Sequence, residues 1–384
     1  MAERPNESRR STEGLRSADT AYAGAAYVFD EVFSFEHLYD CAKQCCNGVR
    51  WKASTQLFES SVLMWVANTR RELLEGKYRT KGFNHFTIVE RGKTRHIQSV
   101  HISERMVQKC LVQHCLRPQI MPKLISANHA TLPGHGTQTA LKELKEHLRW
   151  WYARHGREGG VLVMDYHDYF GSIRHDKLKA MYAKLDMDER LYDLTCYFID
   201  CFEGNAGLGL GSEISQISAV FYVNAIDHFI KDNLGHHCYA RYMDDSYLIG
   251  DIADLELARG CVEAMSHDLG LTLNPKATQI TRLDGGSFRY LKKRIFVTET
   301  GKIVVRLDRS NITRARHRVK ANAAKLAAGE MTPEAEQQSW QSWEAYASDV
   351  DAHNTVLQMK AERAAALYKA FEGTPPPRLI YRVA

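Results

Sequence analysis

Apolar and polar positions change regime several times along the chain, and each change predicts an element. Residues 85–89 and 95–100 are two β-type runs separated by the charged turn Glu90-Arg91-Gly92-Lys93, which predicts a hairpin with a basic tip. Before them, Leu57, Ser61, Met64, Val66 and Leu73 recur at helical spacing, with Gly76 as a stop. The pattern turns helical again over 103–116 and is expected to end at Pro118. The short apolar run 161–164 stops at Asp165 and reads as a buried strand. An amphipathic helical segment follows through 174–185. Gly207, Gly209 and Gly211 suggest a flexible loop opening a helix over about 213–231, where Ile217, Val220, Phe221, Asn224 and Phe229 recur at helical intervals. The β-type runs 239–242 and 246–249 flank Met243, Asp244 and Asp245, predicting a second hairpin with an acidic tip. A helical pattern returns over 333–371, and the prolines at 375–377 should end regular structure.

Composition narrows the class. At 384 residues the chain has length for two to three domains, and 44% hydrophobic with 25% charged residues excludes a disordered chain, a collagen-like fibre and a disulfide miniprotein. No apolar run approaches the roughly 18 residues of a membrane span. Residues 1–20 are polar and charged with no apolar signal core, and nine cysteines is an odd number, so the reading is a cytoplasmic protein with reduced thiols and a disordered leader. The net charge of +5 permits nucleic-acid binding without requiring it. Its distribution says more: residues 289–320 hold eleven Lys or Arg against Glu299 and Asp308. The groups Cys41, Cys45, Cys46 and Cys110, His114, Cys115 have helix-like spacings without paired C-x₂-C knuckles, so core packing is expected rather than zinc. Trp340, Trp343 and Tyr346 read as one packed helix face.

Carboxylates carry the candidate chemistry. Asp165 ends a buried strand, and Asp244 and Asp245 lie at a hairpin tip 79 residues later. Aspartates at strand ends can converge on hard cations such as Mg²⁺, and two ions about 3.5–4 Å apart support in-line phosphoryl transfer. The block Tyr242-Met243-Asp244-Asp245 resembles the catalytic hairpin of reverse transcriptases. It comes in order with other blocks of that family. Asp165-Tyr166-His167-Asp168-Tyr169-Phe170, followed by Ser172-Ile173-Arg174-His175, resembles the first catalytic-aspartate block. Gly209-Leu210-Gly211-Ser212-Glu213-Ile214-Ser215-Gln216, running into Tyr222, Asn224, Asp227 and His228, resembles the nucleotide-positioning block. Leu273-Asn274-Pro275-Lys276 and Phe288-Arg289-Tyr290-Leu291 resemble later palm blocks. The resemblance covers roughly residues 70–365.

It implies an α+β right-hand polymerase: an N-terminal helical extension over 21–76, fingers over 77–160, a palm with an antiparallel sheet over 161–287, and a primer grip with a basic helical thumb over 288–384. It implies RNA-directed DNA polymerisation with Asp165, Asp244 and Asp245 as catalytic metal ligands for two Mg²⁺ ions, Mn²⁺ being able to substitute. Lys93 and Arg95 would hold the triphosphate, Phe170 would block a 2′-hydroxyl, and Leu210, Gly211 and Lys276 would line the substrate site. Arg289, Arg314, Arg316 and Arg318 would track phosphates, largely without regard to sequence. The expected partners are an RNA template, structured noncoding or repeat-derived, its DNA product and a small accessory protein, with no membrane and no appended endonuclease or RNase H. Leu210 before Gly211, and Ser215-Gln216 where the wider family has Ser-Pro, resemble the bacterial diversity-generating branch. Related phage-defence enzymes keep similar blocks, and some extend a primer without template. A catalytically dead nucleic-acid-binding protein is the alternative from another class; intact carboxylates, Lys93, Arg95 and Phe170 argue against it.

Overall fold

A computed structural model describes residues 26–90 and 93–371; the side chains of Glu90, Lys93 and Arg95, the expected leader and the prolines at 375–377 lie outside the described residues. In chain order the elements are α1 (Phe29–Val32), α2 (Phe35–Cys46), α3 (Ala53–Ser60), α4 (Val62–Leu74), β1 (Phe83–Glu90), β2 (Lys93–Val100), α5 (Ile102–Leu111), α6 (Arg117–Ile120), α7 (Thr137–His155), β3 (Gly160–Met164), α8 (Tyr169–Ser172), α9 (His175–Tyr182), α10 (Glu189–Asp200), α11 (Glu213–Tyr222), α12 (Asn224–His228), β4 (Tyr239–Tyr242), β5 (Asp245–Gly250), α13 (Ile252–Asp268), β6 (Gln279–Arg282), β7 (Phe288–Tyr290), β8 (Lys293–Val297), β9 (Ile303–Leu307), α14 (Arg309–Ala327), α15 (Pro333–Ser348) and α16 (His353–Ala370). Helices mixed with antiparallel sheets give the expected α+β class. No helix among the described residues is long and apolar enough to cross a membrane.

The chain divides into two compact units. The first comprises residues 1–135, 165–235 and 260–274. Its hairpin pairs β1 with β2 from Phe83 opposite Val100 to Glu90 opposite Lys93. Helix α2 buries Leu38, Cys41, Ala42, Cys45 and Cys46, and packs beside α4 and α5. Two helical expectations change here. The stretch through Leu57 and Met64 is two helices, broken at Ser61 (φ −120°), which resets the phase. Val62, Val66, Thr69 and Leu73 are therefore the buried stripe, while Leu57 and Met64 face solvent. Nor does Pro118 end its helix: α5 widens into a π-helical turn, Val112–Leu116, and Pro118 enters the first turn of α6, where its missing N–H costs little.

The second unit comprises residues 136–164, 236–259 and 275–384. Its four-stranded sheet has the order β4-β5-β3-β6, all pairs antiparallel. Every residue of β3 is buried, which explains its continuous apolar run. Gly160 opens β3 because an added Cβ would lie 2.9 Å from both Ile252 Cδ1 and Thr281 O. A second sheet orders β7-β8-β9 and leads into α14, α15 and α16. These helices enclose a core of Ala315, Val319, Trp340, Trp343, Ala347 and Met359. The tryptophans thus form the packed face their spacing predicts.

Inside that bundle Arg363 is bound to Glu336, with Nε donating to Oε1 at 2.9 Å and Nη2 to Oε2; Nη2 also meets Gln337 Oε1 at 2.7 Å. Only 2% of Glu336 and 9% of Arg363 is exposed. Removing one member of such a pair leaves the other buried without its counter-charge. Glu336→Ala should therefore lower stability by about 3–5 kcal/mol, read from the urea midpoint. A loss below about 0.5 kcal/mol, as for an exposed substitution, would show that Gln337 or water suffices for Arg363.

Candidate active site

In the second unit, Tyr242 pairs with Asp245, leaving Met243 and Asp244 as a two-residue hairpin turn. Asp244 occupies the turn and Asp245 opens β5, so the acidic tip is half turn and half strand. Met243 has φ +55°, the left-handed conformation that turns matching strand twist require at their first central position. A side chain is strained there. Arg241 braces the turn from below: it is 1% exposed, and its Nη1 donates to the Met243 carbonyl at 3.1 Å. Tyr290, from β7, is buried near Asp245; burial first, then the Asp245 carboxylate, pushes its phenol well above the ordinary range. Its ring meets Tyr247 edge-on at 5.0 Å, and the Tyr247 hydroxyl pairs with His147 Nδ1 at 2.8 Å.

Asp165 is the first residue after β3. Within the first unit its carbonyl accepts from the Asn274 backbone N–H at 2.8 Å, and its Oδ2 accepts from Asn274 Nδ2 at 3.2 Å. The pairing continues, with Tyr166 bridged to Leu273 and the His167 N–H donating to the Thr272 carbonyl at 2.9 Å. Asn274 orients Asp165 through both backbone and side chain, yet sequence reasoning chose Lys276 from the same four-residue block. An amide among charged and apolar neighbours was the available signal. Lys276 is exposed, its carbonyl accepting from Gln279 Nε2 at 2.8 Å.

The first unit also joins Phe170, the glycine loop and β2. The Leu208 N–H donates to the Phe170 carbonyl at 2.8 Å, and Leu210 forms a parallel bridge with Ile97 of β2. Phe170 is half-buried, meeting Tyr169 edge-on at 5.9 Å. The loop is tightly packed rather than a flexible one. A Cβ at Gly209 would collide with Gln98 and lie 2.5 Å from Phe202 Cε1, while Gly207 and Gly211 have φ of +102° and +111°. Ser212 caps α11 and donates to Gln108 Oε1 at 2.8 Å. Lys93 and Arg95 belong to β2, but their side chains lie outside the described residues.

The family model described as reverse transcriptase (RNA-dependent DNA polymerase) matches residues 81–321. The chain belongs to the reverse transcriptase family. No curated protein matches it. Members of this family are RNA-directed DNA polymerases, nucleotidyltransferases that generally use divalent metal ions. Asp165, Asp244 and Asp245 fall inside the match, as do Phe170, Leu210 and Asn274. As oxygen donors, three aspartates suit a hard divalent cation.

The reverse transcriptase's basic segment sorts into distinct environments. Arg314 and Arg318 are exposed on α14. Arg316, between them, is held by Glu362 at 2.9 Å, and Arg289 by Asp308 at 3.0 Å. Lys293 is buried, with Nζ donating to the Tyr346 carbonyl at 3.2 Å and lying 3.5 Å from that ring's centre. Burial lowers its pKa.

Among the described residues, the buried Tyr290 hydroxyl has no hydrogen-bond partner. An unsatisfied buried hydroxyl costs about 1–3 kcal/mol, so Tyr290→Phe should leave stability unchanged or raise it by up to that amount. Thermal and urea unfolding check this; destabilisation beyond about 0.5 kcal/mol would show that the hydroxyl is bonded in solution.

Proposed function

We propose that this reverse transcriptase is an active polymerase in which Asp165, Asp244 and Asp245 together hold the metal ions of nucleotidyl transfer. The observation that carries the reading is the β3–β5 register: Met164, the residue before Asp165, pairs with Ser246, the residue after Asp245. Bound to these carboxylates, two Mg²⁺ ions would activate a primer 3′-hydroxyl and stabilise the charge on the triphosphate during in-line displacement of pyrophosphate. The chain's own part is positional. Asn274 fixes the rotamer of Asp165, and Arg241 fixes the turn that carries Asp244. Phe170 acts as the steric gate against a 2′-hydroxyl, held by the loop that also carries Leu210 and Gly211. Lys93 and Arg95 meet the triphosphate, where charge-assisted bonds are strong. Arg314 and Arg318 follow phosphates of the template–primer duplex, with Arg289 and Lys276 nearer the primer and substrate.

The template is RNA and the product DNA, in a bacterial retroelement or phage-defence setting in the cytoplasm. Leu210 supports the mutagenic branch: its backbone is bridged to Ile97 of β2, and its alkyl side chain offers no hydrogen bond to the nascent pair.

Two measurements test the reading. Asp244→Asn combined with Asp245→Asn should reduce dNTP incorporation on an RNA template by about 10³-fold or more, the several kcal/mol that metal-borne charge stabilisation supplies, with an unchanged circular-dichroism spectrum. Activity within a few-fold of the parent would exclude these carboxylates. Phe170→Val should raise ribonucleotide use relative to deoxyribonucleotide use by about 10–200-fold, the range for steric discrimination in a pocket. An unchanged ratio in a competition assay would make Phe170 a packing residue and place the gate elsewhere.

A further inference from the structure

Three ligand-type side chains outside the carboxylate site converge in the first unit. The Sγ atoms of Cys41 and Cys110 and a ring nitrogen of His114 lie within 4.8 Å of one another. They come from two neighbouring helical segments, Cys41 from one and Cys110 with His114, four residues apart, from the other. On α2, His37 and Cys41 share a face; across from them, Cys110 ends on α5 and His114 sits in the π-helical turn. The pattern is a C-x₃-H pair facing a single cysteine, spread along helices rather than gathered in a C-x₂-C knuckle. Single π-turns inside α-helices are frequent at functional sites, where they re-aim one side chain.

We propose that Cys41, Cys110 and His114 form a zinc site. Two thiolates with imidazole are the donor set that tetrahedral Zn²⁺ prefers. Both cysteines are completely buried. His114 is half-buried, and among the described residues no hydrogen bond reaches either of its ring nitrogens. The His37 ring stacks on it at 3.7 Å, nearly parallel at 10°. His37 Nδ1 lies 3.3 Å from the Val32 carbonyl. Gln113 Oε1, 3.4 Å from Cys41 Sγ, and Gln44, bound to Gln113 Nε2 at 2.8 Å, close one side of the set.

The two thiols donate hydrogen bonds, Cys110 Sγ to the Val32 carbonyl at 3.1 Å and Cys41 Sγ to Gln113 Oε1 at 3.4 Å, which metal binding would replace. Cys45, Cys46 and Cys115 are equally buried and belong to no ligand group among the described residues. Zinc binding would release the two thiol protons and tie α2, which precedes the family match, to α5, which lies inside it. The site would thus staple the N-terminal helices to the helix that leaves β2.

The test uses the full chain, expressed with zinc in the medium and purified without chelator under reducing conditions. Elemental analysis should find about one zinc per chain, and anaerobic exchange for Co²⁺ should give tetrahedral ligand-field bands with a thiolate-to-cobalt charge-transfer band. The Asp244→Asn, Asp245→Asn protein should keep that band, since carboxylates cannot produce it, and Cys196→Ser on α10 should keep it too. Cys41→Ser with Cys110→Ser, and separately His114→Ala, should each reduce bound zinc at least about tenfold. Absence of zinc and of the sulfur charge-transfer band in the unaltered protein would overturn the proposal without reference to any variant. So would a Cys41–Cys110 disulfide found in its non-reduced peptides, or zinc retained by folded Cys41→Ser, Cys110→Ser protein.

Discussion

Five consecutive residues of β3 pair with β5, from Gly160 opposite Gly250 to Met164 opposite Ser246, and this ladder fixes where both acidic segments begin. Side chains alternate along a strand, so a slip of one residue would carry each of them to the opposite face of the sheet. The slip is opposed at several points. Beneath Gly160 there is no room for a Cβ, and β3 is paired on its other side by β6 from Gly160 opposite Arg282 to Val163 opposite Gln279. A central strand held on both edges cannot move without breaking two ladders. The register of Asp245 relative to Met164 is therefore a property of the whole sheet, not of the hairpin alone.

The hairpin itself collects unfavourable terms. Asp244 and Asp245 are adjacent like charges, Met243 is left-handed, and Arg241 is a fully buried cation. Two like charges about 4 Å apart repel by about 1 kcal/mol in water and about 4 kcal/mol at the effective dielectric of a protein surface. A segment selected for stability alone would carry Asn-Gly in such a turn. Strain of this kind persists where the surrounding structure over-determines the conformation, and it clusters at functional sites. Arg241 fits this account, since its buried guanidinium bonds the Met243 carbonyl of the turn.

Local pattern exposed β1 to β5 and the two hairpins they form, because alternation and turn residues act over a few positions, whereas β6 to β9 were not read from it. Val161 to Met164, ending at Asp165, was readable for that reason, and so were Asp244 and Asp245 between two β-type runs. What escaped the sequence depends on distant residues. The role of Asn274 exists only because 272–274 lies beside 165–167. Gly209 looked like flexibility, whereas its cause is the approach of Gln98 and Phe202. The break at Ser61 shifted a helix phase that spacing alone had carried through. The helical spacings of Cys41, Cys45 and Cys46 and of Cys110, His114 and Cys115 were visible, but the meeting of Cys41 with Cys110 and His114 depends on how two helical segments pack.

Charge shows the same dependence on partners. Eleven basic residues between 289 and 320 suggest a uniform cationic track, but the fold assigns them unequal work. Lys293 supports the bundle from within, and Arg289 and Arg316 are neutralised by Asp308 and Glu362. Ala315, Val319, Ala323 and Leu326 turn one face of α14 into the bundle, leaving Arg314 and Arg318, four residues apart, on one exposed face. Each phosphate neutralised by an exposed cation contributes about 0.7–0.9 to the slope of log affinity against log salt, whereas a cation already paired must first give up its carboxylate.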